Sequence, residues 1–535
     1  MSASAELRPT AAAEEPISFD CAEEGAWPRE ELRLVEPPAA AGARGNALSP
    51  AAPSPASVTA HPWASRFAGQ LAWNIVSEVA ARGASLWLSF WCARALSVSV
   101  FGRFTFALAL TQYLWLLGDA TANGGFAARE IARLRGVHPG RASRLAGRFL
   151  SLRFGAGVVI AALVACVTLA LPLDTDTRGA LLGATTFLLA YGAFADWALR
   201  AFEDFRGLAF ASLAAAATLV VTTMAWLPAH PQASVAAALW GASFGVAALV
   251  AFARLAALGR LRFAPPHPAD ARHWRRSAVF SLGAVAGIGA AQAPLLAMGL
   301  LGTAHEGGLF GAAYRLVIAV LGVFTVLWWP LFPVLARSRP DTDEFRSALS
   351  ALARTAWLLA LPAAVTFLVW PREVLSLAFG ERYVDGATAL RIAAVGIPVY
   401  ATSGLLEQAC LATGGEALRA RAFGIAVTIV AVGSLFVVPA FGGAGAAALL
   451  VTAYGFTATV FAIVLRDQLP GARLVRELRP VAALGAALAL VWIACRMLHA
   501  PFLPCFLAGA AAYAGVAIVS GLAPLGLARP RSERA

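Results

Sequence analysis

Lysine is absent from this chain, so all 42 basic residues are arginine. Charge of either sign is thin, at 13% of residues, while hydrophobic residues make up 59% of the 535. A soluble domain with that balance has too little polar surface to cover itself, which excludes a water-soluble globular protein and leaves a polytopic membrane protein. Cysteine is scarce. Cys92, Cys166, Cys410, Cys495 and Cys505 fall in or beside apolar stretches and Cys21 in a polar leader, without the spacing of a metal site or disulfide framework. Neither a metal nor an organic cofactor is therefore expected. Long polar connections are missing as well. A membrane-embedded sugar transferase or polymerase usually builds its acid, base or metal site on one, so the enzyme class is set aside.

What is present is hydrophobic length. Apolar runs of about 20 residues, each able to cross a hydrocarbon core of roughly 30 Å, recur about fourteen times. The predicted spans are 67–96, 101–126, 148–172, 178–200, 207–228, 232–256, 276–302, 308–336, 350–370, 388–413, 419–440, 443–466, 478–498 and 502–527. The fold class expected is therefore all-α and polytopic. Arginine orients it, because basic connections stay cytoplasmic. Arg129, Arg133, Arg135, Arg141 and Arg144 follow span two, Arg260, Arg262, Arg272, Arg275 and Arg276 follow span six, and Arg529, Arg531 and Arg534 close the chain. The intervening connections "LPAHPQ", "GTAHEG" and "FGGAGAA" hold no arginine. An even number of spans with both termini cytoplasmic satisfies this alternation. The net charge of +12 is thereby accounted for by topology and anionic headgroups, and no nucleic-acid partner is expected.

Residues 1–66 are rich in Ala, Pro, Glu and Ser and carry too little apolar surface for a packed core, so they read as a disordered cytoplasmic tail. Beyond them the chain repeats itself. "GRFTFALAL" from Gly102 and "GLFGAAYRL" from Gly308 share Gly, Phe, Ala and Leu at 102/308, 104/310, 107/313 and 110/316. The two copies stand six spans apart and so share an orientation, the plan of a transporter with parallel repeats. Two pseudo-symmetric six-helix lobes around a central cavity follow, 67–256 and 276–466, joined by a cytoplasmic linker at 257–275. Residues 467–535 add two further spans and a short cytoplasmic tail.

Ions inside the spans mark candidate functional residues, because their desolvation is costly unless a pathway or partner needs them. Gln70, Asn74, Glu78, Arg82, Ser85 and Ser89 recur every three or four residues and share one helix face, while Trp73, Val79, Leu86 and Leu88 occupy the other. Arg82 and Arg315 are the leading anion-binding candidates, with Asn74, Arg153 and Arg200 beside them. Arginine's planar fork suits phosphate oxygens and keeps its proton. Glu78, Asp119, Asp196 and Glu407 are candidates for coupling to a proton or sodium gradient, since burial favours reversible protonation of a carboxylate. Structural readings stand beside these: Glu78 and Arg82 have the favourable i,i+4 order of a helix ion pair. Arg153 and Arg315 are placed to snorkel to headgroups, and Asp119 and Asp196 to cap helix ends. Trp328 and Trp329 fit an interfacial aromatic belt, or stacking on sugar rings. Pro294, Pro330, Pro333 and Pro398 mark expected kinks.

The stretch around Ala93, Arg94, Leu96, Phe101, Gly102, Phe104, Asp119 and Gly125 resembles the first hairpin of bacterial polysaccharide-repeat flippases. These are the O-antigen translocase type of the multidrug/oligosaccharidyl-lipid/polysaccharide exporter superfamily. Phe379, Gly380, Tyr383 and Ala387, and the "GGAGAA" of 442–447, resemble two further segments of that family. The resemblance runs over about 67–527; the long leader and the lack of lysine depart from it. It implies an alternating-access flippase in the bacterial inner membrane. Such a protein carries undecaprenyl-pyrophosphate-linked oligosaccharide repeats from the cytoplasmic to the periplasmic leaflet for export of O-antigen or exopolysaccharide. Membrane lipids, a polysaccharide polymerase and glycosyltransferases are the partners implied. The alternative cargoes are a lipid-linked peptidoglycan precursor or small cationic drugs.

Overall fold

The computed structural model describes residues 62–522 apart from 122–123, 263, 266–270, 338–341, 467–468 and 470. Every described element is helical: α1 (Pro62–Ala95), α2 (Val98–Thr121), α3 (Gly124–Arg135), α4 (Pro139–Ala170), α5 (Thr175–Ala193), α6 (Asp196–Ala201), α7 (Phe205–Trp226), α8 (Ala233–Ala257), α9 (Ala271–Leu301), α10 (Ala304–Arg337), α11 (Asp343–Val369), α12 (Pro371–Phe379), a 3-10 turn (Glu381–Gly386), α13 (Ala387–Ala412), α14 (Glu416–Val464), α15 (Gly471–Met497) and α16 (Phe502–Val519). The leader at 1–61 lies outside the described residues, and α1 begins five residues before the predicted first span. The side chains of Trp328, Trp329, Pro330 and Pro333 also lie outside them.

Eleven helical stretches are long and apolar enough to cross a bilayer. One of them, α14, is two spans in a single run, broken where Gly442 adopts φ 53° and ψ −135°. That backbone is strained for any residue with a Cβ. α1 and α9 supply the remaining two expected spans. Glu78 and Arg82 lower the hydropathy of α1, and α9 contributes Val285–Leu301 among its described residues. Each of the fourteen expected spans thus has a helix. One boundary differs: span four ends at Ala193, and α6 is a separate short helix across an extended Phe194.

Helices α1, α4, α5, α7 and α8 pack in one set and α9, α11, α13 and α14 in another, with α2 and α10 each packing on both. The pairings recur between the sets: α4 on α5 as α11 on α13, α5 on α8 as α13 on α14, and α1 on α7 as α9 on α14. α15 lies against α11 and α16. Outside the spans, Asp204 caps α7 by accepting from the Gly207 N–H and pairs with Arg254 at 2.8 Å. Burial pushes its carboxyl up, but the bond from Arg254 and the cap hydrogen bond outweigh that and hold it below the usual carboxylate range.

α2 and α10 cross at close range. A Cβ on Gly102 would overlap the Ala304 carbonyl oxygen and stand 2.7 Å from the Gly308 nitrogen, and one on Gly308 would overlap the Val98 carbonyl oxygen. A Cβ on Gly311 would stand 2.9 Å from the Thr105 hydroxyl oxygen. In the alignment of the two copies Val98 matches Ala304, Gly102 matches Gly308, and Thr105 matches Gly311. Each residue therefore meets the counterpart of its own partner, as across a two-fold axis.

The segments that carry the family resemblance converge at this end of the bundle. Phe379 and Tyr383 pack on Phe101 at 6.3 and 5.7 Å between ring centres. Tyr383 donates its hydroxyl to the Ala93 carbonyl at 3.1 Å, Arg94 donates to Leu377 O at 2.7 Å, and Arg382 returns a bond to Arg94 O at 3.2 Å. Gly443 of the third segment sits against Phe310.

Candidate functional site

The polar stripe of α1 meets α6 and α10. Glu78 accepts from Arg82 Nε at 3.1 Å on one carboxylate oxygen and from Arg200 at 3.1 Å on the other. Arg200 also donates to Asn74 Oδ1 at 2.9 Å and stands 3.9 Å from Asp196, one turn before it on α6. Asn74, Glu78 and Arg82 occupy successive turns of α1, and that spacing lets one arginine from another helix bridge two of them. Arg82 is the most open member, with 46% of its side chain exposed.

The Arg82 guanidinium rests against Gly322 of α10, where a Cβ would stand 2.7 Å from Nη1. Arg315 lies two turns earlier on the same face of α10, about 10 Å along the axis. It is within electrostatic reach of Cys92 on α1. The two leading arginines therefore line one seam between α1 and α10. They differ in charge balance. Arg82 has Glu78, but among the described residues Arg315 has no carboxylate within ion-pair distance, and its buried Nε has no hydrogen-bond partner.

Asp119 and Arg153 form a second cluster, joined at 2.5 Å. Arg153 is 2% exposed and its guanidinium lies over the Trp115 ring at 5.0 Å and the Tyr191 ring at 5.9 Å. The snorkelling position expected for Arg153 is thus corrected: Asp119 on α2 holds it in the packed interior, and aromatic faces cover it. Asp196 feels both Arg200 and Arg153. The charges consequently alternate along one path, from Arg82 through Glu78, Arg200 and Asp196 to Arg153 and Asp119.

Glu407 belongs elsewhere. It accepts from Arg419 Nε at 2.6 Å across the turn between α13 and α14, and Ser403 on its helix bonds Thr457 at 2.7 Å. Ser403 thus faces α14, while Tyr400 on the same helix lies within electrostatic reach of both Glu407 and Arg82. Arg419 and Gly322 are among the partners that the sequence alone did not single out. Arg419 had a signal, the Gly414–Gly415 turn that folds it back toward Glu407; Gly322 had none.

Replacing Asp119 by Leu removes the carboxylate of a buried cation. A loss of about 3 kcal/mol is expected, since breaking a buried pair costs more than omitting it. Asp119→Leu combined with Arg153→Met should recover much of it. Thermal unfolding of the two variants in detergent checks this; equal destabilisation in both would dismiss the pair.

No protein-family model matches the chain, and no curated protein matches it. Solved structures do. A Lipid II flippase MurJ in an inward closed conformation superposes with a TM-score of 0.65 at 12% identity, covering 84% of this chain and 100% of the other. An inward-facing multidrug resistance MATE family transporter of the MOP superfamily gives 0.59 at 13% identity, with 74% and 98% covered. A MOP superfamily transporter from Pyrococcus furiosus gives 0.51 at 15%, with 75% and 95% covered. The chain is an all-helical, multi-pass membrane protein. Its fold is that of the MOP superfamily transporters among these structures.

Proposed function

We propose that the protein is a flippase for undecaprenyl-pyrophosphate-linked oligosaccharide repeat units, moving them from the cytoplasmic to the periplasmic leaflet of a bacterial inner membrane. The observation that carries this is Arg315, a cation on the α1–α10 seam that has no carboxylate partner among the described residues. A partly desolvated cation of this kind is stabilised by an anion that arrives as ligand, and a diphosphate presents oxygens matched to guanidinium forks. Arg82 lies on the same seam, open enough to exchange Glu78 for phosphate while Arg200 keeps the carboxylate satisfied. Asn74, Arg200 and Arg153 hold that face in place. The apolar carrier tail stays in lipid, and only the head needs the polar seam.

The two-lobe plan, 67–256 against 276–466 with 467–535 appended, belongs to this proposal. The repeated pairings between the helix sets and the reciprocal Gly102–Gly308 contact support it. Alternating access follows as a rocking of one lobe on the other about that crossing. The alternating charge path offers Glu78, Asp196 and Asp119 to a coupling proton or sodium ion, and Glu407, paired with Arg419, offers a fourth carboxylate. A polymerase and glycosyltransferases would make and consume the substrate on either side.

A cargo of small cationic drugs does not suit Arg315, which would repel it. A lipid-linked peptidoglycan precursor shares the diphosphate, and the neighbour named a Lipid II flippase supports keeping it as the second reading. Deleting the gene separates them. Lipid-linked repeat units building up in the cytoplasmic leaflet, with loss of surface polysaccharide, is the expected result. Accumulated peptidoglycan precursor would select the second reading, and unchanged polysaccharide with altered drug resistance would overturn both.

A further inference from the structure

Away from that seam, the connection between α3 and α4, the turn between α6 and α7 and the chain leaving α8 surround a polar cavity of about 680 Å³. Arg135, Arg260, Arg262 and Glu203 line it together with Gly140 and Ser143. In the sequence these arginines only orient the chain; the fold brings two separate basic connections to one place. Their positions are built. Arg135 donates to the Ala201 carbonyl at 3.0 Å and pairs with Glu203. Arg260 donates to Phe202 O at 3.3 Å, its guanidinium 5.7 Å from that ring's centre. The strand of chain carrying Arg260 and Arg262 is strapped to α4. Arg262 N–H donates to Ser143 O at 3.2 Å, Ser151 donates to Ala264 O at 3.1 Å, and the Arg262 carbonyl packs on Gly147 where no Cβ would fit.

Three arginines against one glutamate leave an excess of positive charge, and the Arg262 guanidinium has no carboxylate partner among the described residues. The first turn of α4 opens beside it with no acidic residue, adding the positive end of a 32-residue helix. Forked donors, positive surplus and helix end together suit a phosphate group. Its place at the ends of α3, α4 and α8 is the level of lipid headgroups, and the adjoining Val137 and Leu258 are 71% and 40% exposed, offering apolar surface to acyl chains. Those two neighbours favour a lipid over a soluble anion.

We infer that this cavity is a headgroup site for an anionic phospholipid of the cytoplasmic leaflet, its phosphate held between Arg260 and Arg262 with Arg135 alongside. It uses none of the side chains of the transport seam, so it requires only the positive-inside orientation.

The full chain, purified in uncharged detergent, tests this by thermal unfolding with phosphatidylglycerol or cardiolipin, with phosphatidylcholine, and with inorganic phosphate or pyrophosphate. The expected result is an upward shift with the anionic lipids alone. Removing charge-assisted bonds should weaken lipid binding roughly tenfold in Arg262→Gln and further in Arg260→Gln/Arg262→Gln. Arg476→Gln, at an exposed arginine outside the cavity, should keep the shift. Arg262 is exposed, so the single variant reports binding even if the double variant folds poorly. Equal shifts with phosphatidylcholine, or an undiminished shift in Arg262→Gln, would overturn the site. A shift with inorganic phosphate as large as with lipid would overturn its assignment to a lipid.

Discussion

Arg315→Ala is expected to reduce export of the lipid-linked substrate about 100-fold, the equivalent of roughly 3 kcal/mol of charge-assisted hydrogen bonding, at unchanged protein level. The contrast with stability makes this informative. In the unloaded protein Arg315 pays desolvation without a carboxylate to offset it, so Arg315→Met should unfold at the same temperature as the parent or higher. A residue whose role is structural would behave the other way, losing stability first. Arg315→Lys keeps the charge but not the fork, and its export should fall between the two. Arg82→Ala is expected to be milder because Glu78 retains Arg200. Export assays with surface polysaccharide as readout, beside melting curves, decide the matter. Full export in Arg315→Ala would remove the anion site from the seam.

Gly102→Val should produce a large structural effect. The added atoms fall on the Ala304 carbonyl and the Gly308 backbone, neither of which can rotate away. α2 and α10 would have to separate, and overpacking of this kind costs about 1–3 kcal/mol or more where backbone is the obstacle. The same argument applies to Gly308→Val through the Val98 carbonyl. Both variants should lower yield and melting temperature, and combining them should cost little more than one alone, because either separates the same crossing. Gly307→Val is the control, since no heavy atom lies within 4 Å of a Cβ there. Additive losses in the double variant would show that the two glycines do not share one contact.

Much of the fold was legible without coordinates because a bilayer simplifies the code. Hydrocarbon demands about 20 apolar residues per crossing and forbids unpaired backbone, so hydropathy alone finds the helices. What it missed has a local cause. The separation of α6 from α5 depends on an extended Phe194 that leaves no compositional trace. The break within α14, by contrast, falls at Gly442, where the sequence places the boundary between the spans 419–440 and 443–466.

The candidate site was half legible. Glu78, Arg82 and Asn74 announce themselves by spacing on one helix, and the i,i+4 pair forms as its order predicts. Which charges meet across helices is a different kind of fact. Arg200 joins Glu78 rather than staying with Asp196, Arg153 is buried by Asp119, and Arg419 claims Glu407, each by the packing of helices far apart or reversed by a turn.

The amino-acid sequence by itself determined that the chain crosses a membrane, how many times, and which faces of its helices are polar, because those properties are additive along the chain. Only the tertiary structure decided which arginine lacks a carboxylate among the described residues. Charge balance is a property of neighbours, and the neighbours of Arg82 and Arg315 come from other helices.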